Sequence, residues 1–142
     1  MITNEKSNKI LKILSDEKLD KIEEQIKTEM IRIDYDVREY PVEVIVSKYS
    51  TNEENGTNEL YVPAYQREFV WNPEKQSKFI ESIFLDIPVP YLFVADDEGR
   101  LEIVDGSQRV RTLNRFISDE LELKGLKKLT ELNGIKFSQL HE

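Results

Sequence analysis

The chain has 142 residues, 39% of them hydrophobic and 34% charged, and 28 acidic against 20 basic side chains give a net charge of −8. This predicts one globular domain, and the acidic balance argues against its coating a nucleic acid backbone alone. There is no cysteine and one histidine, His141, which excludes disulfides, thiolate metal sites and histidine-based triads. Because no apolar run could span a bilayer and no signal core begins the chain, we expect a cytoplasmic protein.

The N-terminal part predicts two helices and a strand. Apolar residues at helical spacing over 8–30 indicate a helix in one or two pieces, with a second start signal at Ser15-Asp16-Glu17-Lys18. Residues 31–37 alternate apolar and polar side chains, which predicts a half-buried strand. Pro41 then opens a short helix over 42–49, for which a strand is the alternative because the segment is rich in β-branched residues.

The middle of the chain predicts a polar surface loop over 50–59, a short strand over 60–63 and then a helix. The helix starts at Asn72-Pro73-Glu74, with asparagine as N-cap and proline at the first helical position. It runs to about Leu85. The side chains expected to face the core are Phe79, Ile80, Ile83 and Phe84.

A proline-rich break over 86–90 ends this helix. Residues 91–95 and 101–104 predict a hairpin about a turn at 96–99. The next helix covers 107–117, and more helix or a short strand follows over 121–132. The predicted order is therefore α–β–α–β–α–β–β–α, a compact α+β domain.

The most informative segment joins the last strand to the helix that follows it. An apolar strand runs into Asp105-Gly106, and Gln108 and Arg109 lie in the first helical turn. Free N–H groups, the positive end of a helix dipole and a guanidinium would meet there, which predicts a phosphate site. The alternative is a plain strand–helix junction with Asp105 as N-cap. The local concentration of basic residues suits a confined anion such as a nucleotide: Arg109, Arg111, Arg115, Lys124, Lys127 and Lys128.

A second segment, residues 62–71, places Gln66 and Arg67 after a strand end and Trp71 before a capped helix. It could supply polar groups to a pocket with an aromatic wall. The alternative is that the aromatic side chains of this segment, Tyr65, Phe69 and Trp71, are core, and that Arg67 pairs with Glu68 or Glu74.

Other chemistries find less support in the sequence. Asp105 with Glu122-Leu123-Lys124 has the residue types of a metal-dependent nuclease core, but its Glu-x-Lys lies beyond a helix. Asp96-Asp97-Glu98 is most simply a hairpin turn rather than a cation site. Neither a phosphate-binding Gly-x-x-x-x-Gly-Lys loop nor a dinucleotide fingerprint is present, and Ser107 has no base at useful spacing.

The ordered motifs resemble the N-terminal domain of the GmrSD type of restriction endonuclease over roughly residues 35–140. They are Tyr65-Gln66-Arg67 with Trp71, Ile87-Pro88-Val89-Pro90 before a strand, and Val104 to Arg109 with Thr112-Leu113. The resemblance implies an α+β, ParB/sulfiredoxin-like domain over 31–142, with a small mixed sheet flanked by helices and a helical extension over 1–30. It also implies a longer natural protein that carries any nuclease activity elsewhere.

The family's Asp-Gly-Gln-Gln-Arg motif corresponds to Asp105, Gly106, Gln108 and Arg109, and its upstream Gln-Arg to Gln66 and Arg67. Ser107 replaces the usual first glutamine, at the position of the reactive cysteine of sulfiredoxins. Since the chain has no cysteine, sulfiredoxin activity is excluded.

The resemblance implies a regulatory domain of phage defence that binds, and in many relatives hydrolyses, a nucleoside triphosphate with Mg²⁺. Gln108 and Arg109 would contact phosphates, with Gly106 and Ser107 at the same turn, and Arg67 would close from the other side. Asp105 would cap the helix or help hold Mg²⁺, and Gln66 would position water or ligand. DNA would be a partner through the full-length protein. The alternatives are a non-catalytic DNA-binding module, or a docking module whose residues 8–30 form a homo-oligomer.

Overall fold

A computed structural model describes residues 14–32 and 36–140, which fall into two compact units divided between Glu39 and Tyr40. In the first unit, helix α1 covers Asp16–Arg32. It begins at the predicted second start signal, where the N–H of Lys18 donates to the hydroxyl of Ser15 at 3.3 Å. The earlier part of the predicted 8–30 helix lies before the described residues. Nowhere in the described ranges is a helix both long and apolar enough to cross a membrane.

The strand predicted over 31–37 is wrong where the structure describes it. Ile31 and Arg32 are the last residues of α1, and residues 36–37 have no regular structure, while 33–35 lie outside the described residues. A strand needs a neighbour that pairs with its N–H and C=O groups. The alternation of apolar and polar residues was the only basis for this prediction. The described sheet takes all its strands from the second unit, so residues 31–32 and 36–37 have no paired neighbour in it.

The second unit combines helices with a small mixed sheet. Its elements are α2 (Val42–Ser50), β1 (Leu60–Tyr61), α3 (Pro73–Phe84), β2 (Phe93–Asp97), β3 (Arg100–Asp105) and α4 (Ser107–Ile117). Three 3-10 turns lie at Ala64–Gln66, Thr130–Leu132 and Phe137–Gln139. The sheet order is β1–β3–β2, with β1 parallel and β2 antiparallel to β3. The predicted α+β class is confirmed.

Local signals account for the elements that were predicted correctly. The side chain of Asn72 accepts a hydrogen bond from the N–H of Lys75 at 2.9 Å, and Pro73 begins α3. The β2–β3 hairpin closes on Glu98 and Gly99 with φ angles of 50° and 89°, as a two-residue turn requires. Residues 42–50 are helical rather than extended because Val46 and Tyr49, three positions apart, are both buried.

Two clusters form the core of this unit. The first cluster joins α2, the sheet and α4 and contains Tyr49, Leu60, Val62, Ile103 and Val110. The cluster around α3 and α4 contains Ile80, Phe116, Leu121, Leu123 and Leu126. Phe84, predicted to face the core, is instead about half exposed, although its ring meets that of Phe116 edge-on at 6.3 Å.

The helix or strand predicted over 121–132 is also wrong, apart from the 3-10 turn Thr130–Leu132. The segment is irregular, and side chains bond its N–H groups. The N–H of Lys124 donates to the hydroxyl of Ser77, and the N–H groups of Lys128 and Leu129 donate to one carboxylate oxygen of Glu81. The backbone of the buried Leu123 pairs with that of Gly134 and Ile135, so the leucines pack here without a regular helix or strand.

Candidate functional site

The strand–helix turn Asp105–Arg109 is built around Gly106. Asp105 is the last residue of β3, and Gly106, with φ of 108°, occupies the N-cap position of α4. The predicted capping by Asp105 is therefore wrong, because the cap falls one residue later on a glycine that has no side chain. The carboxylate of Asp105 instead lies 3.6 Å from Nη2 of Arg109.

Gly106 is closely surrounded by side chains. A Cβ on this residue would lie 2.6 Å from Cδ1 of Leu92 and 3.0 Å from Nη2 of Arg109. The N–H groups of Ser107, Gln108 and Arg109 have no acceptor among the described residues, as expected for the first turn of a helix.

Arg109 and Gln108 make structural contacts. The guanidinium of Arg109 donates to the carbonyl oxygens of Pro90 and Tyr91, and its side chain is 14% exposed. Oε1 of Gln108 accepts from the N–H groups of Val70 and Trp71 at 2.9 and 3.1 Å. Arg109 thus holds the loop before β2 against the start of α4, and Gln108 holds the loop before α3 there.

Two further hydrogen bonds join the upstream Gln-Arg segment to the Asp105–Arg109 turn. Nε2 of Gln108 donates to the carbonyl of Glu68 at 2.9 Å, so both ends of its amide are bonded. Nε2 of Gln66 donates to the carbonyl of Val104, also at 2.9 Å. The structure therefore brings the upstream Gln-Arg segment against the Asp105–Arg109 turn, although the two lie about 38 residues apart in the chain.

A cleft of about 600 Å³ opens beside Arg67, and we call it the arginine cleft. Of the site residues predicted from the sequence, Arg67 alone lines it. The full lining is Tyr49, Glu53, Glu54, Asn55, Gly56, Asn58, Tyr61, Val62, Arg67, Arg100 and Arg111.

The three guanidinium groups of the cleft differ in their contacts. Arg111 donates to the carbonyl of Arg67 and lies 5.1 Å from the ring centre of Phe69. Arg100 lies 4.2 Å from the ring centre of Tyr61 and donates to the carbonyl of Asn58 at 3.0 Å. The guanidinium of Arg67 has no hydrogen bond, ion pair or ring contact with any described residue. It is therefore the cation of the cleft that is available to a ligand.

Both tyrosine hydroxyls of the cleft donate to carboxylates. Tyr49 donates to Glu53 at 2.9 Å, and burial together with this carboxylate raises the pKa of Tyr49 to about 12, against the opposing effect of Arg111. Tyr61 donates to Asp97 at 2.7 Å, and that hydrogen bond raises its pKa to about 12. At neutral pH both hydroxyls are therefore fixed hydrogen-bond donors.

Sequence reasoning did not single out Tyr49, Asn58 or Arg100. Asn58 and Arg100 are joined by a hydrogen bond between residues 42 positions apart, and no local sequence pattern shows such a contact. Arg111 was found only as part of the basic concentration.

A protein-family model matches most of the chain. The sequence model described as "GmrSD restriction endonuclease, N-terminal domain" matches residues 42–142. The chain belongs to this family. No curated protein and no solved structure matches it. The GmrSD resemblance is thus confirmed, the ParB/sulfiredoxin relationship stays a prediction, and DNA is the implied partner of the full protein.

Within the GmrSD domain, two alternatives from the sequence are not supported. Lys124 of the nuclease-like triplet pairs with Glu74 at 3.3 Å, and the described residues hold no group of three side chains suited to a metal ion. Arg67 pairs with neither Glu68 nor Glu74. The aromatic residues of segment 62–71 differ in their packing. Trp71 packs edge-on against Phe79 at 5.7 Å, whereas Tyr65 is exposed.

Proposed function

We propose that this GmrSD domain binds a nucleoside triphosphate, with its phosphates at Arg67 and Arg111 in the arginine cleft, and so regulates the restriction enzyme. The observation that carries the proposal is the unpartnered guanidinium of Arg67 in a cleft of about 600 Å³. Small-molecule sites have volumes of roughly 300–1,000 Å³. Arginine suits phosphate because its planar fork can make two parallel hydrogen bonds.

Mg²⁺ enters this proposal with the nucleotide. Proteins commonly hold Mg²⁺ through substrate phosphates, water and one or two carboxylates. Because the described residues contain no grouped set of metal ligands, the phosphates would supply most of the coordination. A nucleotide ligand also fits the cytoplasmic location expected from the sequence.

The contacts of Gln66, Gln108 and Arg109 favour a positioning role in this proposal. Gln108 holds the loop that follows Arg67, and Gln66 holds the turn that precedes it. Hydrolysis, with Asp105, Gln108 and Arg109 as catalytic residues, stays a prediction, and measurement of phosphate release from bound nucleotide tests it directly.

Calorimetric titration of ATP, GTP, CTP and UTP, each with Mg²⁺, tests the binding proposal. Loss of a charge-assisted contact costs about 1.5–3 kcal/mol. We therefore expect Arg67→Ala to weaken binding about ten- to hundredfold. Lys127→Ala, an exposed cation outside the cleft lining, is the matched control and should bind like the unaltered chain. Absence of binding by all four nucleotides at millimolar concentration would refute the proposal.

The phosphate site predicted at the start of α4 needs a variant of its own. Arg109→Ala is unsuitable, because it would also remove the hydrogen bonds to the carbonyls of Pro90 and Tyr91. Ser107→Asp puts a carboxylate in the first turn, where it repels a phosphate. Because Ser107 is buried, circular dichroism must first show that this variant is folded. If Ser107→Asp abolishes binding and Arg67→Ala does not, the nucleotide lies at the Asp105–Arg109 turn and not in the cleft.

A further inference from the structure

The loop between α2 and β1, residues 51–59, carries one of the two asparagine–glycine steps of the chain. Asn55 and Gly56 form this step, and Asn133 and Gly134 form the other. In such a step the backbone nitrogen of the glycine can attack the side-chain amide carbon of the asparagine, because glycine has no Cβ to hinder the approach. The two steps share the same pair of residue types, so their surroundings decide where the reaction proceeds.

The surroundings of Asn55 leave this attack open. Its side chain is exposed and makes no hydrogen bond with any described residue. Around Gly56, no atom other than those of its chain neighbours lies within 4 Å of the position that a Cβ would take. One hydrogen bond restrains the attacking nitrogen, which donates to the carbonyl of Glu53 at 3.0 Å within an exposed turn. Exposed turns open at a low free energy, so this nitrogen is readily released.

The surroundings of Asn133 block the same attack. Both ends of its side-chain amide are bonded to the backbone of Leu126, where Oδ1 accepts from the N–H at 2.9 Å and Nδ2 donates to the carbonyl at 3.1 Å. The N–H of Gly134 donates to the carbonyl of Leu123 at 2.6 Å. Leu123 and Leu126 are buried members of the cluster around α3 and α4, so this step is freed only when the core opens.

We propose that Asn55 is a site of spontaneous deamidation, which converts it to aspartate or isoaspartate, and that Asn133 is protected in the folded chain. The nitrogen of Gly56 loses its proton and bonds to the side-chain amide carbon of Asn55. The bond from that carbon to the amide nitrogen breaks, and ammonia leaves with the proton. Water then opens the resulting cyclic imide at one of its two carbonyls. The net reaction consumes one water and releases one ammonia, so it needs no redox partner.

Deamidation changes the charge of the arginine cleft, because Asn55 is part of its lining. The charged side chains of the lining are three arginines and two glutamates, which give a net charge of +1, and a third carboxylate lowers this to zero. For this consequence the inference rests on the proposed nucleotide binding. The irreversible loss of positive charge would weaken the attraction of the cleft for a triphosphate as the protein ages.

Peptide mass spectrometry of the full 142-residue chain tests the modification. The chain is incubated at mildly alkaline pH, digested, and scored at both asparagines for the mass gain that accompanies replacement of an amide by a carboxyl group. We expect Asn55 to react about tenfold faster or more, because the reaction at Asn133 must wait for the core to open. Equal rates in the folded chain, or no reaction at Asn55, would overturn the proposal.

The same incubation in urea is the control for structure. Since urea removes the core contacts of Asn133, the two steps should then react at similar rates. A preference for Asn55 that persists undiminished in urea would assign it to the local sequence and overturn the protection of Asn133 by the fold.

Asn55→Asp tests the consequence for the cleft, because this variant carries the carboxylate from the start. In calorimetry with Mg²⁺ we expect it to weaken the tightest binder among ATP, GTP, CTP and UTP about two- to fivefold, as for interactions between exposed charges. Asn52→Asp is the matched control, since it adds the same charge to an exposed position of the same loop outside the cleft lining. Equal affinities of the two variants would overturn the effect on the cleft. Absence of binding by all four nucleotides would overturn the proposed function and leave the deamidation result standing.

Discussion

Gly106 combines a left-handed backbone with a lack of room for a side chain. Its φ is 108°, and a Cβ would lie 2.6 Å from Leu92. We expect Gly106→Ala to lower the free energy of unfolding by about 2–3 kcal/mol, because backbone strain and the steric clash add.

Gly99→Ala is the control for the backbone alone, since Gly99 has φ of 89° with open space around it. We expect Gly99→Ala to lower the free energy of unfolding by about 1–2 kcal/mol. Urea denaturation of both variants measures the difference. Equal destabilisation would show that the clash with Leu92 contributes nothing.

Tyr49 gives the domain a sensitivity to alkaline pH. Its pKa is raised from 10.0 to about 12 in the folded chain, so its stabilising contribution is complete below pH 10 and is lost as pH rises toward 12. We expect stability to fall over this interval, and less steeply in Tyr49→Phe. Denaturant unfolding at several pH values from 9 to 12 tests this. An unchanged slope in the variant would contradict it.

The sequence was informative about which residue types lie at the Asp105–Arg109 turn and less so about their partners. A glycine turn followed by Gln108 and Arg109 was visible at once. Leu92, which fills the space beside Gly106, and Tyr91, whose carbonyl accepts from Arg109, lie in the loop before β2. Side-chain partners are set by tertiary packing, so local pattern could name the donors and not the acceptors.

At the level of elements, Gln108 joins α4 to the loop before α3. Gln108→Ala would remove the acceptor of the Val70 and Trp71 N–H groups, and we expect it to lower the free energy of unfolding by about 0.5–1.5 kcal/mol. Gln108→Glu keeps that acceptor but loses the donor to Glu68, so its effect should be smaller. Hydrogen exchange at Val70 and Trp71 is the measurement, and exchange unchanged in Gln108→Ala would rule out the joining role.

Elements with their own start or turn signals were predicted well. Asn72-Pro73 fixed the beginning of α3, and Glu98-Gly99 fixed the hairpin. The two failures, residues 31–37 and 121–132, share a physical cause. Their apolar patterns do not specify what bonds the backbone. In the second segment the partners are the side chains of Ser77 and Glu81 on α3 and the backbone of residues 134–135.

At the scale of the molecule, the two compact units should be separable. Both core clusters of the second unit consist of residues after Tyr40. We expect a chain beginning at Tyr40 to keep its cooperative unfolding transition and its nucleotide affinity. Circular dichroism and calorimetry measure these two properties, and loss of the folded transition would show that residues 1–39 are required.

The same truncated chain tests the alternative that residues 8–30 form a homo-oligomer. Light scattering of the full and shortened chains should then show a larger mass for the full chain alone. Equal masses would exclude oligomerisation through this segment.

The parallel pairing of β1 with β3 affects how the domain acquires its cleft. Only Leu60–Leu101 and Tyr61–Glu102 pair across it, and the chain between them is long, whereas the β2–β3 hairpin closes locally. Long loops make such pairing slow to form. The hairpin should therefore assemble early and β1 late. A nucleotide in the arginine cleft, which β1 helps to build, would then act mainly on the unfolding rate and lengthen the lifetime of the folded domain.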